Sequence, residues 1–117
     1  MNSVTALRKA CAALPQSQET FPFGLDTLVL KVGGKIYALC GLNTEPPTLS
    51  LKVRPERGDE LRAAHSAITA GYHFNKRHWI TLPLGGLPDD LSGELLRASY
   101  GLVVRGLTKA QRAELGL

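Results

Sequence analysis

The chain has no hydrophobic run long enough to cross a bilayer. Runs such as Leu102-Val103-Val104 fall far short of the ~20 apolar residues a spanning helix needs. The first eight residues, Met1-Asn2-Ser3-Val4-Thr5-Ala6-Leu7-Arg8, contain no unbroken apolar block of the kind a secretion signal requires. No membrane association is expected, and the cytoplasm is the expected compartment. Cysteine is scarce: Cys11 and Cys40 lie in apolar periodic segments with no metal-ligand spacing, which predicts two buried free thiols in a reducing environment. At 117 residues, one domain spanning residues 1–117 can bury a core without disulfides or metals. Repeats, low-complexity tracts and linkers are all lacking.

Acidic residues are missing from two long windows. None occurs between Glu60 and Asp89, where Arg62, Lys76, Arg77 and all three histidines, His65, His73 and His78, are found. None occurs from Thr27 to Thr44 either, a window holding Lys31 and Lys35. The net charge of +4 and pI near 9.3 permit a polyanionic partner, and this distribution predicts a positive field over part of the surface.

What is present reads as alternating helix and hairpin signals. Val4, Leu7, Cys11 and Leu14 recur at helical spacing behind a capping Asn2 or Ser3, and Pro15 stops that helix. Residues 16–26 read as a loop whose Phe21 and Phe23 tuck against the core. Residues 27–32 and 35–42 are β-rich and flank Gly33-Gly34, a two-residue primed-turn signal. A strict turn pairs Val32 with Lys35 and Lys31 with Ile36, sending the two lysines to opposite faces. A third strand, residues 48–53, points Leu49, Leu51 and Val53 inward and Ser50, Lys52 and Arg54 outward. Pro55 opens a helix to His65 with Leu61, Ala64 and Ile68 as inner contacts. After a connecting loop over residues 66–71, residues 71–82 read as a second hairpin with its tip near Asn75-Lys76-Arg77. Pro88 then starts the longest helix, whose inner face is Leu91, Leu95, Ala98, Ser99 and Leu102. Gly106 ends it, and Thr108 to Gln111 is a capping box for a short final helix. The expected class is α+β: a mostly antiparallel sheet with helices packed on it.

The densest chemistry lies in residues 71–82, which hold the only Trp, two of the three His and the adjacent Lys76-Arg77. Catalysis is not expected, because no nucleophile elbow, reactive-cysteine signature or paired carboxylate accompanies His73 and His78. No metal or other cofactor is expected: the eight- and five-residue spacings of His65, His73 and His78 match no zinc pattern. Gly33-Gly34-Lys35 lacks the upstream glycine and downstream Ser or Thr of a phosphate loop. A hairpin tip carrying Asn75, Lys76, Arg77 and His78, with Lys31 and Lys35 as further cations, fits the phosphates of a nucleic acid. With so few charges, binding should be weak and salt-dependent. Tyr72 and Trp79 are expected to anchor the core. Were Tyr72, Phe74 and Trp79 exposed together, a protein-interaction or small-ligand surface would be the alternative.

Several motifs in this order resemble the MmcQ/YjbR family of small bacterial domains. They are Phe21-Pro22-Phe23-Gly24, Val32-Gly33-Gly34-Lys35-Ile36-Tyr37-Ala38-Leu39, Leu51-Lys52-Val53, and Gly71-Tyr72-His73-Phe74-Asn75-Lys76-Arg77-His78-Trp79. Leu87-Pro88-Asp89-Asp90 and Ser99-Tyr100-Gly101-Leu102-Val103 complete the set. Ser66 and Ala70 depart from the usual proline, and Ile80 from a usual polar residue. The resemblance implies a two-layer α+β fold in the order α-β3-α-β2-α. It also implies a double-wing likeness from which DNA binding has been inferred, and a topology similar to that of secretion chaperones, which bind protein.

Overall fold

The computed structural model describes residues 1–71 and 75–117. Tyr72, His73 and Phe74, two expected ring contacts and one candidate histidine, lie outside the described residues. The elements run α1 (Val4–Ala12), β1 (Gln18–Thr20), β2 (Thr27–Val32), β3 (Lys35–Gly41), β4 (Thr48–Lys52), α2 (Pro55–Ala64), β5 (Thr69–Ala70), β6 (Trp79–Pro83), α3 (Asp89–Arg105) and α4 (Lys109–Leu115). The strands form one antiparallel sheet in the order β1-β2-β3-β4-β6-β5.

Side-chain alternation explains the two layers. Directly opposed residues in antiparallel strands share a face. The register therefore builds one row from Leu28, Cys40, Leu49 and Leu82, and a second from Leu30, Ala38, Leu51 and Ile80. All eight are buried in the main core with Leu7 and Cys11 of α1 and Leu95, Leu96 and Val103 of α3. Each such leucine stabilises the fold by ~1.5–3 kcal/mol through removal from water. The opposite face carries Thr20, Val29, Leu39, Ser50, Thr81 and Thr69 in a single row. The Ser50 and Thr81 hydroxyls bond across it at 2.9 Å.

Gly33 and Gly34 take φ of +59° and +77°, the left-handed region a primed turn needs and glycine supplies cheaply. Val32 pairs with Lys35 and Lys31 with Ile36, as the spacing predicts. One step further the register slips, since Leu30 pairs with Ala38, which leaves Tyr37 as the extra residue of a bulge. Tyr37 is fully buried, meets Tyr100 edge-on at 5.3 Å and shares a hydrogen bond with Ser17.

Five expectations are corrected. Residues 18–20 form β1, which the sequence hides because Gln18-Glu19-Thr20 has no apolar residue; pairing with β2 makes it a strand. Phe21 and Phe23 do not tuck in but remain 44% and 64% exposed, beside Leu25 at 82%. Backbone bonds from Gly24 N to Phe21 O and from Thr27 N to Gly24 O hold that loop instead. Thr69–Ala70 is strand rather than loop, paired with Thr81 and Ile80. On α2, Ala64 is exposed while Gly58 joins Leu61 in burial. On α3 the buried stripe is Ser92, Leu95, Leu96, Ser99 and Val103, which leaves Ala98 exposed and Leu91 and Leu102 half-buried on the flanks.

Candidate nucleic-acid interface

Strand register decides which cations meet. Lys52 pairs with Trp79, and Ala38 with Leu51. Strand β4 therefore leaves the sheet, and β6 enters it, at the end where β2 and β3 turn. The Gly33-Gly34 turn and the 75–78 turn thus stand at one end of the sheet, with β4 between β3 and β6. At ~4.8 Å per strand, β3 and β6 lie about 10 Å apart.

The 75–78 turn is held locally. The Asn75 carbonyl accepts from His78 N at 3.0 Å, and the Asn75 side-chain Oδ1 accepts from Arg77 N at 3.0 Å, the self-bonding that suits asparagine to turns. The turn is tied to the sheet by Val53 N donating to the His78 carbonyl at 2.9 Å and Gly71 N donating to the Trp79 carbonyl at 2.8 Å. A Cβ on Gly71 would stand 2.5 Å from Trp79 Cβ, so only glycine permits this approach. Asn75, Lys76, Arg77 and His78 are all exposed, whereas Trp79 is half-buried.

The structure brings Lys35 and Lys31 to the same end, on opposite faces as expected. Lys35 is exposed and shares the face of buried Val32; Lys31 is half-buried and opposes Ile36. Between the two turns lie residues the sequence did not single out. Lys52, Val53, Arg54, Leu102 and Arg105 line two adjoining hollows at the β4–α2 junction, of about 450 and 120 Å³. His78, Pro55, Glu56 and Gly106 complete the larger, and Arg57, Glu94, Leu95 and Ala98 the smaller. Lys52 is the last residue of β4, Arg54 caps the start of α2 two positions on, and Arg105 follows some fifty positions later at a helix end. Only tertiary folding joins them.

Arg57 is engaged by Glu60 at 3.7 Å and Glu94 at 3.6 Å. Among the described residues, Lys35, Lys52, Arg54, Lys76, Arg77 and Arg105 form no ion pair. They are cations available to a partner. The shifted titrations lie elsewhere: burial pushes the Cys11 and Cys40 thiols up to about 11, which makes them poor nucleophiles. Arg8 holds the Glu19 carboxyl below its ordinary range through a hydrogen bond. Among the described residues, no group of three His, Cys, Asp or Glu is placed to hold a metal ion. Among those residues no helix is long and apolar enough to cross a membrane.

The class defined is a two-layer α+β domain with two turns and a cationic hollow at one end of an antiparallel sheet. The chain belongs to the YjbR family, whose pattern it matches over residues 12–102. It is 34% identical over 103 residues to the uncharacterized protein YbdF of Escherichia coli O157:H7, covering 87% of this chain and 84% of that one. It is 32% identical over 111 residues to the uncharacterized protein YjbR of Escherichia coli K12, covering 94% of each. The crystal structure of Deinococcus radiodurans protein DR2400 superposes with a TM-score of 0.94 at 55% identity, over 100% of this chain and 90% of that one. A Pseudomonas syringae protein of 27% identity superposes with a TM-score of 0.74, over 86% of this chain and 97% of that one.

Proposed function

We propose that this protein is a non-enzymatic cytoplasmic module that binds nucleic acid, with DNA as its ligand. The supporting observation is the gathering, at one end of the sheet, of Lys76 and Arg77 on one turn, Lys35 beside the other, and Lys52, Arg54 and Arg105 between them. All six lack an ion-pair partner among the described residues. Phosphate contacts of this kind set affinity and its salt dependence. Lys31, on the opposite face from Lys35, extends the field, and Asn75 and His78 add hydrogen-bonding groups to the exposed turn.

A salt titration of duplex binding tests this reading. Three to five phosphate contacts should give a log–log slope of about −2.7 to −4.5, and Lys76→Glu/Arg77→Glu should weaken binding and flatten the slope. Binding undetectable at about 50 mM salt, or unaltered by the double substitution, sinks it.

A protein-interaction module is the second reading. The observation favouring it is the exposed Phe21, Phe23 and Leu25. They precede Thr27, which pairs with Gly41 at the end of the sheet away from the basic turns.

A further inference from the structure

We propose that the hollow between the β4–α2 junction and the C-terminal half of α3 is a nucleotide-binding site. It would take an unpaired or terminal nucleotide while the two turns hold neighbouring backbone. The two hollows share Lys52, Val53, Arg54, Leu102 and Arg105, so they adjoin as a cleft of two parts, the larger of which, about 450 Å³, is within the size range of small-ligand pockets.

Its lining is of two kinds. Ala98 and Leu102 lie outside the buried stripe of α3, on a flank where a surface helix ordinarily carries polar groups. They make an apolar strip, with buried Leu95 and Val53 beneath. Around it stand Lys52, Arg54, Arg57 and Arg105 against the carboxylates Glu56 and Glu94. Glu94 is engaged by Arg57 at 3.6 Å, which leaves Arg54 and Arg105 as the free guanidinium groups. A guanidinium fork matches a phosphate bidentately, and a planar base packs on an apolar or guanidinium surface.

Inorganic phosphate would use the cations and leave the strip bare. A nucleotide uses both. The choice of a nucleotide over another planar anion rests on the nucleic-acid reading above. The cleft and its charges stand without it.

The test is equilibrium titration of the whole chain, by calorimetry or NMR, with adenosine 5′-monophosphate, ribose 5-phosphate and inorganic phosphate. Adenosine 5′-monophosphate should bind about tenfold tighter than ribose 5-phosphate, the difference a stacked base supplies. Arg54→Gln/Arg105→Gln should weaken it about tenfold. Ala98→Glu, at an exposed helical position, should abolish it with the circular dichroism melt unchanged. Failure of adenosine 5′-monophosphate to bind at about millimolar concentration, affinity equal to that of ribose 5-phosphate, or indifference to both variants overturns the site. Duplex binding without nucleotide binding removes only this site; nucleotide binding without duplex binding removes only the polymer reading.

Discussion

The Ser99 hydroxyl donates to the Tyr37 carbonyl at 2.6 Å. Tyr37 is the extra residue of the bulge in β3, and the β3–β4 pairing ends one step short of it, at Ala38 with Leu51. The same oxygen of Ser99 accepts from Lys52 N at 2.8 Å. One buried side chain on α3 thereby pins two strands where β4 turns toward the cationic hollow.

Ser99→Ala leaves one buried and one partly buried backbone group without partners, each worth ~1–3 kcal/mol. The expected loss is about 2–4 kcal/mol. It is read from urea unfolding, with the midpoint falling and the slope unchanged. A loss under about 0.5 kcal/mol would mean that water or a shifted backbone replaces both bonds.

Stability should fall at alkaline pH. Burial raises the Cys11 and Cys40 thiols from 9.0 to about 11, so on alkalinisation the unfolded chain loses these protons first. Stability is then independent of these groups below pH 9 and declines as pH rises from 9 to about 11, by about 2–3 kcal/mol per thiol. Cys40→Ala should make the decline shallower in chemical unfolding measured across that range.

Phe23→Ala should change stability by no more than about 0.5 kcal/mol, because the ring is 64% exposed. Leu51→Ala, fully buried, should cost about 2–5 kcal/mol. Parallel thermal melts separate the two cases, and a large loss at Phe23 would restore the ring to the core.

Much of the fold is legible locally. Gly33-Gly34 announces its turn and the register of Val32 with Lys35, because left-handed backbone is a local demand. Leu49, Leu51 and Val53 announce their face because pleating has a period of two. Asn75 to His78 announces an exposed turn because asparagine satisfies backbone donors by itself. Ser3 and Thr108 announce their caps, and both accept the expected backbone amide.

What failed was decided over distance. Gln18-Glu19-Thr20 becomes a strand only because β2 offers a free edge. Phe21 and Phe23 stay outside because Leu28, Leu30, Leu49, Leu51 and the helices already fill the core. Ala98 and Leu102 follow helical periodicity as well as Ser92 and Leu96 do, and only the sheet beneath selects the buried stripe. The sequence by itself determined the α+β class, the two turns and the family, since these depend on propensity, period and short motifs. Only the tertiary structure decided that Lys52, Arg54 and Arg105 meet between those turns. Their union depends on strand order and helix docking, which no local pattern encodes.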